Sequence, residues 1–338
     1  MNRLNNCLEN KKYTGIPIWF MRQAGRYLPE FIEIRKKNQD FLKLCFNQNL
    51  STKISLQPLK RFDLDAVILF SDILVIPFGL GQNVTFEKGF GPKLEKINLE
   101  KIINTDKKDF LNKVSSVYEI IKNIKKEINI NEKSIIGFVG APWTLLLYML
   151  NQQSPKRNFE IEKIIRDQGL VKDLLKKLEE IICLHIEKQI EAGATVIQMF
   201  DSWAGLLPKK ELSRYCFEPN LNIVNFVKSK KTPIICFPRD IGEEYLEFSN
   251  IVKPSCLSID YNIDPKWVVN NFNNLPIQGG LDPKILLTDN ENIKKNVAKY
   301  LEVFKDYPYI FNLGHGVLPE TKPETIGAIV KIVRNYEK

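Results

Sequence analysis

Histidine and cysteine are scarce in this chain and poorly placed for metal. Only two histidines occur, His185 and His315, and the six cysteines (Cys7, Cys45, Cys183, Cys216, Cys236 and Cys256) include no C-x-x-C pair and none beside a histidine. That spacing argues against a zinc site and against a disulfide framework, and it predicts reduced, mostly buried thiols. Long apolar runs are missing too. The longest, near 66–70 and 145–150, fall well short of the about 18 residues a membrane span needs. Residues 1–15 are polar and lack the apolar core of a signal peptide, so a cytoplasmic protein is expected. No Gly-rich dinucleotide fingerprint follows the first apolar run. The glycines of 79–97 (Gly79, Gly81, Gly89, Gly91) lack the G-K-[ST] of a phosphate loop, so that excursion is read as a flap or hairpin. No repeat, low-complexity tract or linker divides the chain, which is read as one domain over 1–338.

What is present is a soluble globular composition, 44% hydrophobic and 26% charged. The formal charge of +9 comes from 49 basic and 40 acidic residues. The lysines are mixed with glutamates along amphipathic segments such as 163–188 and form no dense basic tract. They read as a solvated helix exterior with a weak pull on an anionic substrate, and nucleic acid is not expected as a partner.

Eight short apolar runs alternate with segments of helical period: 16–21, 66–70, 135–139, 195–200, 233–237, 256–259, 276–278 and 309–313. Continuous apolar strands are buried on both faces, as parallel sheets require. Eight of them, separated by patterns such as Leu174, Leu178, Ile181, Ile182 and Ile186, predict an α/β fold, a single (β/α)8 TIM barrel. A doubly wound sheet is the fallback. A barrel places functional groups just after its strands. Arg22 and Arg26 follow run one, Asp72 run two, Ala141-Pro142-Trp143 and then Tyr148 run three, and Asp201-Ser202-Trp203 run four. Arg239-Asp240, Asp260, Asp282 and His315 follow the remaining four.

Each of these admits a plainer role. Arg22 and Arg26 share a face if one helical turn follows Met21, or converge through a loop bent at Gly25; either way two guanidinium forks suit a ligand with several carboxylates or phosphates. A surface pair balanced by Glu30 and Glu33 is the alternative. Asp201, Asp260 and Asp282 read as helix caps or loop-setting residues. Asp72 sits amid apolar residues that continue through Pro77, so it needs a cation or several donors. Tyr148 is equally a core aromatic. His185 lies on an apolar helix face and reads as structural, whereas glycines flank His315 and free its backbone path. Thr321-Lys322-Pro323-Glu324 reads as a capping box opening a last helix to about Tyr336.

The stretch Met21-Arg22-Gln23-Ala24-Gly25-Arg26-Tyr27-Leu28-Pro29-Glu30-Phe31 resembles the signature of the uroporphyrinogen decarboxylase family. Phe70-Ser71-Asp72-Ile73-Leu74, Gly140-Ala141-Pro142-Trp143-Thr144, Phe200-Asp201-Ser202, Gly280-Leu281-Asp282-Pro283 and Asn312-Leu313-Gly314-His315-Gly316 match it in order. The resemblance implies a (β/α)8 barrel, a homodimer, and no metal or organic cofactor. Its implied substrate is uroporphyrinogen III, whose four acetate arms become methyls to give coproporphyrinogen III. Carried over, the substrate-binding positions are Arg22, Gln23, Ala24, Gly25, Arg26, Asp72, Tyr148, Ser202 and His315, with Arg35 a further candidate; Asp72 and Arg22 are the catalytic candidates. Gly280 departs from the asparagine frequent in the family, and Arg239 falls in a variable region and receives no role. The rivals are a zinc- and corrinoid-linked methyltransferase on the same barrel and a non-catalytic tetrapyrrole carrier.

Overall fold

The computed structural model describes residues 2–11, 15–87, 90–155 and 159–336. Its strands are β1 (Ala66–Ile68), β2 (Val84–Glu87), β3 (Gly91–Leu94), β4 (Ser134–Gly140), β5 (Val196–Asp201), β6 (Ile234–Pro238), β7 (Cys256–Ile259), β8 (Ile277–Gly279) and β9 (Tyr309–Ile310). Seven of them form one sheet in the order β1-β4-β5-β6-β7-β8-β9, and every pairing in it is parallel. Helices lie between successive strands of this sheet.

The first predicted run forms no regular strand but fills the eighth place. Pro17 cannot donate to a ladder, which limits the segment to isolated bonds. On one side Ile18 bridges Phe311 in parallel. There the Trp19 amide donates to the Phe311 carbonyl at 3.4 Å, and the Phe311 amide to the Pro17 carbonyl at 2.8 Å. On the other side the Asp65 amide donates to the Ile18 carbonyl at 2.9 Å, and the Ile18 amide donates to the Asp65 carboxylate at 2.6 Å. The sheet therefore curls until its two edges meet through residues 16–21, which makes the expected barrel. Asp65 is buried there and also accepts from Arg334 Nη2 at 2.9 Å, tying the last helix to the closure.

Alternation along the strands explains why the runs were continuously apolar. Trp19, Ile68, Ile136, Val196, Ile235 and Ile310 form an inner cluster with Leu4, Cys7 and Leu8 of the helix Arg3–Asn10. Val67, Ile135, Ile197, Ile234 and Leu257 belong to a larger outer cluster with the surrounding helices. A polar layer crosses the interior: Gln278 accepts from Trp19 Nε1 at 2.8 Å and donates to Gln198 Oε1 at 3.0 Å and to Ser258 Oγ at 3.1 Å. Every one of these groups is paired, so the layer avoids the cost of unsatisfied buried atoms. His185, fully enclosed on the helix Gln168–Ala192, meets the Tyr118 hydroxyl at 2.9 Å, and burial pushes its pKa down to about 3. Its role is structural, as the sequence suggested.

β2 and β3 form the expected hairpin; Gly89 lies outside the described residues. The hairpin stands beside the C-terminal end of β1, where Phe86 packs on Phe41 (4.7 Å between ring centres) and Phe41 on Phe70 (5.8 Å). Five of the six cysteines are buried.

Two local expectations need correction. The last helix is Pro323–Arg334, with proline in its first turn, but its N-cap is Lys322 and no side chain caps it. The Thr321 hydroxyl is buried and unpaired, so there is no capping box. Asp201 is not a helix cap either. It is buried at the end of β5 and accepts from Thr144 Oγ1 (2.6 Å), Cys216 Sγ (3.2 Å) and Asn220 Nδ2 (3.3 Å). It thus fastens three separate elements together. Asp282 does cap, accepting from the Lys284 amide, and Asp260 sets its loop through the Asp240 and Asn262 amides.

Candidate active site

The chain leaves residues 16–21 in an irregular turn rather than a helix. The Met21 amide donates to Asn312 Oδ1 at 3.0 Å, and the Val317 amide donates to the Met21 carbonyl at 2.9 Å, fixing the turn to the loop after β9. Arg22 has φ +62°, a left-handed value that a non-glycine residue adopts at a cost. Gly25 is required because a Cβ there would sit 2.8 Å from the Arg22 carbonyl oxygen. The following helix, Pro29–Lys37, begins on its proline. Of the two alternatives for the arginine pair, the structure takes the loop.

Gln23 holds this turn from behind. It is fully buried, accepts from the Phe20 amide at 3.0 Å and donates to the Ala66 carbonyl at 2.9 Å, while its own carbonyl accepts from the Tyr27 hydroxyl. Its amide therefore joins run one to β1 and orients the residues beside it. Ala24 and Gly25 are half-buried, and Arg22 and Arg26 remain open to solvent.

Arg22 is the centre of the cluster. Its stem lies across Gly316, where a Cβ would fall 2.3 Å from the Arg22 Cδ. Asp72, Tyr148, Arg26 and Arg239 all act on its charge, and the walls around it thin the water enough to lower its pKa. Asp72, half-buried, accepts from the Leu74 amide at 2.9 Å. Burial raises its pKa to about 6, offset by that hydrogen bond and by Arg22. The charge of Arg22 reaches it, after burial and the Leu74 amide the third influence on its ionisation.

Tyr148 lies on the helix Pro142–Asn151, facing Trp203 edge to face at 6.1 Å. Burial raises its pKa, with the charges of Asp72 and Arg22 both felt there. Ser202, half-buried, precedes Trp203 in the loop after β5. His315 is half-buried, and its pKa is lowered to about 4 by burial, then by the charges of Arg22 and Arg239. It is a neutral imidazole at ordinary pH.

The glycines beside His315 act differently from the expectation. Neither has a positive φ. Gly314 permits a close crossing of backbones, since a Cβ would lie 2.5 Å from the Tyr261 nitrogen, and Gly316 makes room for Arg22. Gly280 does need its backbone: φ is +97°, and a Cβ would sit 2.7 Å from a Tyr300 ring carbon. Its carbonyl accepts from the Tyr300 hydroxyl at 2.6 Å.

Arg26, Asp72, Tyr148 and His315 are thus each brought within electrostatic reach of Arg22, at the C-terminal end of the barrel strands. Ser202 is the chain neighbour of Trp203, whose ring faces Tyr148. Arg35 is turned to its own loop, where Nη1 donates to the Asn38 and Gln39 carbonyls and the guanidinium lies 5.4 Å from the centre of the Phe41 ring. Sequence reasoning gave no role to Arg239, which the structure adds to the cluster; its place after a strand was the available signal. A separate cavity of about 390 Å³, between the loops after β7 and β8, is lined by Tyr261, Asp264, Asp282 and Lys299 and by none of the candidate side chains. Among the described residues no three His, Cys, Asp or Glu are grouped as a metal site.

A sequence model described as uroporphyrinogen decarboxylase (URO-D) matches residues 1–336. The chain belongs to the uroporphyrinogen decarboxylase family. It is 40% identical over 334 residues to a uroporphyrinogen decarboxylase of Rickettsia bellii (strain RML369-C), covering 98% of this chain and 96% of that one. It is 42% identical over 334 residues to one of Orientia tsutsugamushi (strain Ikeda), covering 97% and 96%. Solved structures share the fold. A methyltransferase from Methanosarcina mazei superposes with a TM-score of 0.79 at 18% identity, covering 98% of this chain and 97% of that one. A B12-independent methionine synthase from Shewanella sp. W3-18-1 gives 0.53 at 13% identity, covering 86% and 89%. At such identities these two structures speak to architecture alone.

Proposed function

We propose that this protein decarboxylates the four acetate arms of uroporphyrinogen III to methyls, giving coproporphyrinogen III, with no metal or organic cofactor. The observation that carries the reading is the facing of Asp72 and Arg22 in one opening of a chain that belongs to this family. Arg22 and Arg26 supply forks for the carboxylate arms, and Tyr148, Ser202 and His315 add neutral hydrogen-bonding groups.

Loss of CO2 leaves an electron pair, and a pyrrole can take it. A proton added to the ring carbon beside the acetate arm gives a cation conjugated to the bond that breaks. The C–C bond then cleaves, CO2 departs, and its electrons neutralise the ring as an exocyclic methylene. A second proton converts the methylene to methyl while the ring proton is returned. In this reading Asp72, as a carboxylate, accepts from the pyrrole N–H groups and stabilises the cation more than the neutral ground state. At about 4 Å and an effective dielectric near 20 that is about 4 kcal/mol, or roughly a thousandfold in rate. Ionisation of Asp72 near pH 6 makes the carboxylate available at neutral pH.

We further propose that the chain works as one barrel domain and as a cytoplasmic homodimer. Among the described residues no helix is long and apolar enough to cross a membrane. Incubating the purified protein with chemically reduced uroporphyrinogen III, and measuring CO2 and the four-carboxylate product, tests the activity. Tight binding without CO2 would leave a carrier instead. Sedimentation tests the dimer.

A further inference from the structure

The barrel order places the strand that carries Arg239 opposite the segment that carries Arg22. Counting around the ring from residues 16–21, the places are β1, β4, β5, β6, β7, β8 and β9, so β6 is the fifth of eight and diametrically across. The backbone of Arg239 is fixed at both ends of its peptide unit. Its amide donates to the Asp201 carbonyl at 3.1 Å, and its carbonyl accepts from the Gly205 amide at 3.0 Å. The next amide, that of Asp240, donates to the buried Asp260 carboxylate at 2.8 Å. Such a strand end aims its side chain with little freedom.

The side chain itself is a guanidinium only 19% exposed. One arm is engaged: Nη2 lies 2.7 Å from Asp240 Oδ2, and the other oxygen of Asp240 accepts from Asn262 Nδ2 at 2.8 Å. The Nε donor, on the same edge as Nη2, is buried and has no partner among the described residues. The donors left for a ligand are those of Nη1, on the side of the guanidinium away from Asp240, and a charge-assisted bond there is the stronger kind. The charge of Arg239 is felt at Arg22 and at His315, so two cations confront each other across a partly desolvated opening. An anion between or beside them relieves that repulsion.

We propose that Arg239 is a specificity-determining residue, binding through Nη1 a carboxylate of the substrate arm that lies across the macrocycle from the arm held by Arg22. Asp240 holds the guanidinium in position by its Nε/Nη2 edge. A macrocycle with acidic arms all round its rim needs cations on opposite walls, and Arg22 with Arg26 supplies only one wall. This inference rests on the tetrapyrrole substrate of the proposed function, and deepens it.

The test is Arg239→Gln and Arg239→Lys, assayed with reduced uroporphyrinogen III beside the unsubstituted protein. Activity of the unsubstituted protein is the separate check on the proposed function; the comparison that follows bears on Arg239 alone. A charge-assisted hydrogen bond predicts a KM raised about tenfold to a hundredfold in Arg239→Gln, with kcat changed by less than about threefold. Arg239→Lys keeps the charge but not the fork, and is expected to recover part of the loss. Competitive inhibition by the four-propionate product is expected to weaken in the same variants. An unchanged KM in Arg239→Gln overturns the proposal, as does a loss confined to kcat. Should Arg239→Gln fail to fold, Arg239→Lys decides alone: a KM within twofold of the unsubstituted protein, and unaltered product inhibition, overturns it.

Discussion

Replacing Gly316 with alanine adds one methyl group, and the geometry says where it goes. The new Cβ would stand 2.3 Å from Arg22 Cδ, 2.6 Å from Cγ and 2.9 Å from Nε. These are mid-stem atoms, so a small tilt of the guanidinium tip does not relieve the overlap. The Arg22 backbone, already at φ +62° and bonded through Met21 to Asn312 and Val317, has little room to retreat. The side chain must leave its place over residue 316. A charge-assisted hydrogen bond to a substrate carboxylate contributes about 1.5–3 kcal/mol, so kcat/KM should fall roughly tenfold to 150-fold. The fold should hardly notice. Gly316 has no positive φ to protect, and the displaced arginine can extend into solvent, which leaves stability within about 0.5 kcal/mol. Steady-state decarboxylation kinetics and a urea titration measure both quantities. The decisive comparison is a double-mutant cycle with Arg22→Ala. If the methyl acts by expelling Arg22, the double variant is no worse than Arg22→Ala alone. Wild-type kinetics in Gly316→Ala, or effects that simply add, would refute the reasoning.

Other outcomes follow from the same site and its support. Because burial raises Asp72 to about pH 6 and the carboxylate is the working form, kcat/KM should decline as pH falls through about 6, a limb that vanishes in Asp72→Asn together with most turnover. The folded protein disfavours ionised Asp72. That cost is absent below the unfolded pKa near 4 and complete above about 6, so Asp72→Asn should be more stable than wild type at pH 8, by about 1–2 kcal/mol once screening at the open mouth is allowed for. Arg26→Ala should raise KM about tenfold and leave kcat within about twofold, as expected of an exposed anchor. Arg334→Ala strips the nearest cation from buried Asp65, leaving Arg3 at 3.6 Å; urea unfolding should show a loss of about 3 kcal/mol.

The barrel was legible because strands buried on two faces read as unbroken apolar runs, and all eight runs occupy places in the ring. What the sequence could not display was pairing: Pro17 reduces the first run to isolated bonds, visible only once its neighbours are known. Asp72 was legible by the expense of a carboxylate among apolar residues, and its partner Arg22 emerged from the strand-end rule. Asp201 misled because a residue after a strand looks like a cap, whereas its true partners, Thr144, Cys216 and Asn220, come from elements far off in the chain. Gln23 sits in the middle of a polar motif, and nothing local reveals that its amide is enclosed and bonded to run one and β1. Thr321 had the right spacing for a capping box, but its side chain turns inward.

The weakest stave of this cylinder is also the one that bears Arg22. Residues 16–21 are held by a few amide bonds and by one enclosed carboxylate, so transient gaping of the wall is expected to begin there and to carry Arg22 with it. If the proposed grip from both sides holds, a bound macrocycle acts as a hoop. Occupancy should therefore slow amide exchange at Ile18, Trp19 and Phe311 more than at the long rungs between β4 and β5, and an empty barrel should be most vulnerable where it is best equipped to bind.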